Sequence, residues 1–199
     1  MEGLDADRYL VDQLVRPIVN LYRVTPLAAG ETPAGPPVAY VRQKKLAIKE
    51  DIRFYADESE QQELLRIKAR SAFDIGGARY DVFAGEQKLG VLEHQFRASL
   101  LRSTWTVRDA SDAAVLTARE RSLPLAIARR AIDFVPYGEW IPIPYNFDFL
   151  ISDRVAGGMS RKFQLRDRYV LDLSGDHERT IDRRLAIALA IGLDTLQNR

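Results

Sequence analysis

Apolar and polar residues alternate along much of the chain from Tyr40 onward. In the clearest run, Leu65, Ile67 and Ala69 lie on one face of an extended segment, and Arg66 and Lys68 lie on the other. A period of two is the pattern that a half-buried β-strand requires. The same period recurs at 46–48, 52–54, 89–91, 101–108 and 169–173.

Residues typical of turns separate these runs, at 76–77, 84–86, 109–112 and 157–158. Many short strands joined by tight turns predict a closed barrel or a sandwich. One segment, 122–135, departs from the alternation. It begins with Ser122 and Pro124 and then follows helical spacing, so it predicts an amphipathic helix of about three turns.

The C-terminal segment predicts a second, buried helix over residues 179–197. Residues 185–193 include no polar side chain on any face. A helix that is apolar all round is buried in a protein core or in a bilayer. Nine residues span only about 14 Å, against about 30 Å for a bilayer's hydrocarbon core. Charged Arg183, Arg184 and Asp194 flank the segment, so we expect a helix enclosed by the strands.

The N-terminal part of the chain has a less regular pattern. Residues 4–24 predict a short helix up to Val15, followed by a strand through Ile18, Leu21 and Val24. Residues 25–38 contain four prolines and two glycines, which predict a surface loop. We interpret residues 1–37 as an N-terminal extension of a single domain that spans 1–199.

Charge and composition narrow the classes of function. Twenty-nine basic residues nearly balance twenty-eight acidic ones, for a net charge of +1, so nothing in the overall charge favours nucleic acid. The chain has no cysteine, which excludes disulfides, thiolate nucleophiles and iron–sulfur clusters. There is no signal-peptide pattern and no apolar stretch of membrane-spanning length. We therefore expect a cytoplasmic protein, peripheral to the membrane, without a transmembrane span.

The residues that usually carry catalysis are sparse. His94 and His177 are the only histidines, and we interpret them as a strand residue and a turn residue. The chain has no Gly-x-Ser-x-Gly elbow, P-loop or dinucleotide fingerprint. We predict no catalytic residue, no metal site and no cofactor, and therefore a protein that is not an enzyme.

Local basic clusters are the candidate binding residues. Arginine forks and lysine ammonium groups suit phosphate, although such clusters also occur on ordinary solvated surfaces. The candidate residues for an anionic lipid are Arg42, Lys44, Lys45, Lys49, Arg129 and Arg130.

Five segments, in this order, resemble the LURP-one-related family of the tubby-like and phospholipid-scramblase-like superfamily, and in particular its bacterial members: 41–57, 88–96, 105–107, 169–173 and 182–196. The resemblance implies a mainly β fold with helices, in which about twelve antiparallel strands close into a tubby-like barrel around a hydrophobic C-terminal helix. It also implies a lipid-associated module, because tubby-type relatives bind phosphoinositides.

Three hypotheses about function follow. The first is a non-catalytic module that recognises anionic phospholipid or phosphoinositide headgroups through the basic clusters. The second is a structural or regulatory domain that binds a protein partner through helix 122–135 or the aromatic segment after it. The third is a small-ligand carrier or a scramblase-like protein, which requires free volume inside the barrel.

Overall fold

The computed structural model describes residues 4–15, 19–44, 51–70, 78–95, 103–122, 146–162 and 168–196. In this part of the chain twelve strands precede one α-helix, α1 (Arg183–Thr195), and a short 3₁₀ turn occupies Ala29–Glu31. The strands are β1 (Arg8–Val15), β2 (Val19–Pro26), β3 (Ala39–Lys44), β4 (Asp51–Tyr55), β5 (Glu63–Ala69), β6 (Arg79–Ala84), β7 (Gln87–His94), β8 (Thr104–Asp109), β9 (Ala114–Glu120), β10 (Asn146–Ile151), β11 (Arg154–Lys162) and β12 (Arg168–Asp172).

The strands form a closed antiparallel barrel. Each strand pairs with its neighbours in the sequence, and β1 pairs with β12 to complete the ring. In that closing pair Tyr9 lies opposite Leu171 and Val11 opposite Tyr169. Closure leaves none of the twelve described strands with an unpaired edge, which removes the usual route to edge-to-edge aggregation among them. The predicted twelve-stranded closed barrel is confirmed.

Alternation along the strands separates the interior from the outer surface. Ile52 and Phe54 of β4 are fully buried, as is Ile67 of β5, whereas Arg53 between the first two is exposed. Inward side chains from all around the barrel join one hydrophobic core. The period of two in the sequence therefore identified the inward faces of these strands.

Helix α1 is enclosed by the barrel. Asp182 caps it by accepting a hydrogen bond from the backbone N–H of Arg184 at 2.9 Å. Every residue from 185 to 193 is buried, so the helix has no solvent-facing side over this stretch. Its thirteen residues correspond to a length of about 20 Å. The predicted buried C-terminal helix is confirmed.

Glycine allows the barrel wall to approach α1 closely. A Cβ atom on Gly90 of β7 would lie 2.2 Å from the carbonyl oxygen of Arg108 and 3.2 Å from both methyl carbons of Leu185. On the helix side, a Cβ atom on Gly192 would lie 3.3 Å from Leu92. These two glycines mark where β7 and the helix come into close contact.

The turn predicted at Gly157 and Gly158 is wrong. Both residues lie inside β11, where a Cβ atom on Gly157 would lie 2.0 Å from the carbonyl oxygen of Asp172. The turn between β10 and β11 falls instead at Ser152 and Asp153, which both have a positive φ. The glycine pair therefore serves close strand packing rather than chain reversal.

The N-terminal prediction also requires correction. The residues up to Val15, predicted as a short helix, form strand β1, and β2 continues to Pro26. The segment 1–37, assigned to an N-terminal extension, thus contributes two strands to the barrel. Pairing of β1 with both β2 and β12 determines its conformation, and local spacing does not show that pairing. The predicted helix at 122–135 and the aromatic segment that follows it lie outside the described residues, apart from their ends.

Candidate functional site

Helix α1 occupies the interior of the barrel, so we expect a binding site on the outer surface. Leu189, near the middle of the helix, is fully buried, and β7 approaches the helix closely at Leu185 and Gly192. The hydroxyl groups of Tyr22 and Tyr169 both donate to the Asp194 carboxylate, the former at 2.6 Å. Asp194 also raises the pKa of Tyr22, although burial is the larger cause of that shift.

A groove crosses the outer surface of β1 to β4. We call it the outer groove, and its volume is about 180 Å³. Its apolar lining includes Leu14, Leu21, Tyr40 and Tyr55, all on β1 to β4. These four side chains lie between inward residues of the same strands, so alternation places them outside. Buried Tyr22 and Val41 also contribute to the lining. The groove therefore offers an aliphatic and aromatic surface of the size of a small headgroup.

Two arginines and two glutamates supply the charged lining of the outer groove. Arg23 on β2 binds Glu58 at 2.8 Å, and Arg42 on β3 binds Glu60 at 2.6 Å. The Arg23 guanidinium also lies over the Tyr40 ring, 6.0 Å from its centroid. Strand pairing places Arg23 opposite Tyr40 and Leu21 opposite Arg42, so the two arginines are diagonal neighbours on one face.

The two groove arginines present only part of their guanidinium groups to a ligand. Within the described part of the chain, the Nε atom of Arg23 and that of Arg42 are shielded from solvent and have no hydrogen-bond partner. An arginine has five N–H donors in a planar fork, which suits phosphate oxygens. The side chains of Arg23 and Arg42 are 42% and 40% exposed, so an anion in the outer groove would bind the N–H groups that now bind Glu58 and Glu60.

Glu60 adopts an unusual backbone conformation beside Arg42. Its φ is +58°, in the left-handed region that non-glycine residues rarely occupy. A strained residue of this kind persists when the surrounding contacts hold it in place. Here the ion pair with Arg42 and a 3.3 Å hydrogen bond from the Glu60 backbone N–H to the Asp57 carbonyl do so.

A second group of charges lies on the outer face of β6 to β8. Glu93 accepts from Arg79 and Arg108, each at 2.8 Å. Burial acts to raise the pKa of Glu93, but hydrogen bonds from the two arginines outweigh it, and the net pKa is lowered. In the same way Asp81 binds Arg70 and Lys88, both at 2.9 Å. Shared carboxylates link these strands, so we interpret this group as structural.

A buried ion pair fixes the start of α1. Arg183, which is 4% exposed, binds Asp176, which is 1% exposed, at 2.5 Å. Asp176 also accepts from the backbone N–H groups of Thr180 and Ile181, at 2.9 and 3.1 Å. Burial acts to raise the pKa of Asp176, but these donors outweigh it, and the net pKa is lowered. This pair anchors the helix and is not exposed to a ligand.

Of the six predicted site residues, the structure describes the side chain of Arg42 alone. Arg42 lies in the outer groove, 40% exposed and paired with Glu60. Lys44 ends β3, and its side chain lies outside the described set. The remaining candidates, Lys45, Lys49, Arg129 and Arg130, also lie outside the described residues. Binding of an anionic lipid by these six residues stays a prediction.

Sequence reasoning missed the other members of the outer groove. Arg23 went unnoticed although it lies in the strand predicted through Val24, because no other basic residue stands within six positions of it in the sequence. A signal did exist, because Leu21 and Arg23 alternate with buried Tyr22 and Val24, which assigns an outward face to that strand.

The histidines behave as strand and turn residues. The His94 ring, at the end of β7, lies 4.7 Å from the ring of buried Trp105, and exposed His177 lies in the turn before α1. In the described ranges, no cluster of three or more His, Asp or Glu side chains is arranged to hold a metal ion. No helix in those ranges combines the length and hydrophobicity that a bilayer crossing requires.

The fold and the surface together define a closed antiparallel barrel around a hydrophobic helix, with its candidate binding site outside. Comparison with models of protein families shows which family the chain belongs to. The model of the LURP-one-related family matches residues 38–194, and the chain belongs to that family. Searches of the curated proteins and of the solved structures returned no significant match.

Proposed function

We propose that the protein is a non-catalytic binding module that recognises anionic phospholipid headgroups, phosphoinositides among them, on the outer surface of its barrel. The observation that supports this proposal is the convergence on the outer groove of Arg23 and Arg42, whose side chains are 42% and 40% exposed. Guanidinium groups bind phosphate oxygens through charge-assisted hydrogen bonds. Membership of the LURP-one-related family agrees with a tubby-like binding module.

The aromatic lining of the outer groove favours a membrane-bound headgroup over a purely aqueous anion. Tyr40 and Tyr55 are half-buried and lie beside the two arginines. Tyrosine is enriched at the level of lipid headgroups because its ring is apolar and its hydroxyl is polar. Lys45 and Lys49 follow β3 in the sequence, and basic residues near a membrane surface add attraction to anionic lipid. A cytoplasmic, membrane-peripheral location follows from this proposal.

The enclosed helix supports the choice of a binding module over a carrier or an enzyme. Residues 185–193 take up space along the barrel that an interior substrate would need. A carrier barrel holds its ligand in such an interior. Recognition at the outer groove requires no interior volume.

Flotation with vesicles tests the proposal. Wild-type protein should float with phosphatidylcholine vesicles that contain a phosphoinositide, less at high salt, and not with phosphatidylcholine alone. Arg42→Gln should weaken binding by about fivefold, since one basic residue near an anionic surface contributes about 1 kcal/mol. Arg53→Gln is the matched control, because Arg53 lies opposite Arg42 on β4 and outside the groove lining.

The outcomes separate specific from nonspecific attraction. An equal loss in the Arg42 and Arg53 variants would indicate general surface charge and would contradict the assignment of the outer groove. Failure of the wild-type protein to float with any anionic vesicle would overturn the proposal as a whole.

A further inference from the structure

Glu58 and Glu60 occupy positions that an anionic ligand of the outer groove would need. Each carboxylate binds one of the two arginines, at 2.8 and 2.6 Å, so in this structure protein carboxylates satisfy part of the guanidinium donors. Both glutamates belong to the connection between β4 and β5, and Glu60 holds its position with a positive φ. A ligand phosphate must therefore compete with two internal anions.

The geometry points to a role for these glutamates in specificity: we infer that Glu58 and Glu60 restrict the outer groove to headgroups that carry a phosphate monoester dianion. The inference rests on the proposed function and names the ligand class of that same site. It applies to a phosphoinositide headgroup, which has such a monoester, and not to phosphatidylserine, whose phosphate is a diester.

Charge explains the discrimination. A phosphodiester carries a single negative charge, so exchanging a carboxylate for it leaves the charge pairing of the arginine unchanged. A phosphate monoester carries about −1.5 to −2 at neutral pH and has three strong acceptor oxygens. It can therefore neutralise both guanidinium groups and accept from the N–H groups that now bind Glu58 and Glu60. Only the monoester gains interactions in the exchange.

The internal ion pairs are weak enough to be exchanged. Arg23 and Glu58 are 42% and 63% exposed, and Arg42 and Glu60 are 40% and 35% exposed. Ion pairs between such half-exposed side chains stabilise a protein little, because water and salt screen them. A strongly charged anion can therefore displace the two carboxylates from the arginines, whereas a weakly charged one cannot.

The deciding experiment compares two double variants. Glu58→Gln/Glu60→Gln removes the two carboxylates of the outer groove, and Asp51→Asn/Glu63→Gln removes two carboxylates that bind Arg53 on the same surface outside it. Both changes raise the net charge equally. Affinity is measured for phosphatidylcholine vesicles with phosphatidylserine and for vesicles with phosphatidylinositol 4-phosphate at matched surface charge, and thermal melts establish that each variant folds.

We expect wild-type protein to prefer the phosphoinositide vesicles. Glu58→Gln/Glu60→Gln should strengthen binding to phosphatidylserine by about two- to thirtyfold, the range that corresponds to removing two exposed ion pairs. The ratio of the affinities for the two kinds of vesicle should therefore fall. The control variant should strengthen both bindings equally and keep the preference. A soluble inositol phosphate with the same monoester should compete with vesicles.

Failure of the proposed function and failure of the role of the glutamates give different results. If neither wild-type protein nor any variant binds vesicles, the proposed function fails. If all bind and the preference is the same in all three proteins, only the role of the glutamates is overturned. Tight binding of the soluble inositol phosphate with no vesicle binding would overturn a lipid as the source of the phosphate.

Discussion

The buried ion pair between Asp176 and Arg183 gives the sharpest test of how α1 is held in the barrel. The perturbation is Asp176→Asn, which keeps the shape of the side chain and removes its charge. Arg183 then lies 4% exposed and loses its 2.5 Å partner, but it keeps Asp7 at 2.8 Å. The amide nitrogen also replaces one acceptor oxygen, so one of the backbone N–H groups of Thr180 and Ile181 loses its partner.

The magnitude follows from the burial of both groups. Removing one partner of a buried ion pair costs about 3–5 kcal/mol, because the other charge is left without compensation. Asp7 is half exposed and remains bound to Arg183, so we expect the low end of that range, about 3 kcal/mol. This is a large part of a total stability of about 5–15 kcal/mol.

Denaturant unfolding followed by tryptophan fluorescence measures this loss, since Trp105 is fully buried in the core. Arg183→Met provides the second single variant. Because both singles remove the same contact, the double variant should lose less stability than the sum of the two. A loss below about 1 kcal/mol for Asp176→Asn, or strict additivity, would refute the assigned role of the pair.

The pH dependence adds an independent check. Hydrogen bonds to Asp176 outweigh its burial and lower its pKa in the folded protein, relative to about 3.9 in the unfolded chain. A group with a lowered folded-state pKa contributes stability that is present above the unfolded-state pKa and is lost as the pH falls through the folded-state pKa. The stability difference between wild type and Asp176→Asn should therefore be constant above about pH 5 and shrink below about pH 4. A difference that does not change with pH would exclude the carboxylate charge as its cause.

Two further predictions concern the enclosure of α1. Leu189→Ala should lower the free energy of unfolding by about 2–5 kcal/mol in a urea titration, because it opens a cavity in a fully buried position, whereas Leu189→Asp should abolish the folded far-ultraviolet circular dichroism signal. A Leu189→Asp protein that melts like wild type would show that the helix is not interior. Tyr22→Phe should cost about 1–2 kcal/mol by removing a donor to Asp194, and the cost should rise when Tyr169 is already phenylalanine, since the carboxylate then has neither hydroxyl. An equal cost of Tyr22→Phe with and without Tyr169→Phe would argue that the two hydroxyl groups do not depend on the same carboxylate.

The core of the barrel was predictable because its signal is local. In β5, Leu65, Ile67 and Ala69 alternate with charged residues, and each of the three is buried. For α1, a run of nine residues without a polar side chain allows one interpretation once its length excludes a bilayer. In both cases the side chains of one segment specify which face is buried.

Strand β1 shows what local patterns leave out. Leu10, Val11, Leu14 and Val15 have the spacing of an amphipathic helix, yet they belong to a strand. That strand closes the barrel by pairing with β12, about 160 residues further along the chain. Context of this kind overrides propensity, because the free energy of pairing and burial exceeds the small intrinsic preference of each residue. The same reason explains why Gly157 was assigned to a turn.

The candidate site was less predictable than the fold, and the difference has a physical cause. The ion pair between Arg42 and Glu60 joins residues 18 positions apart, and that between Arg23 and Glu58 joins residues 35 positions apart. Outward positions of a strand accept almost any charged residue, so the sequence contains no signal that two particular residues meet. Arg42 could be nominated because it stands in a basic cluster, whereas Arg23 has no basic neighbour within five residues on its C-terminal side.

A chain with nearly equal numbers of acidic and basic residues poses the question of which arginines are available to a ligand. Arg79 and Arg108 share the carboxylate of Glu93, and that arrangement ties three strands together. Arg23 and Arg42 differ, because each has a carboxylate of its own and lies in a concave surface with tyrosines beside it. Since α1 lies inside the barrel, we propose the outer groove, one of several concavities in the described surface, as the place where a ligand binds. Net charge therefore says little about which arginines a ligand can reach, because that depends on the carboxylates that each arginine binds and on its exposure.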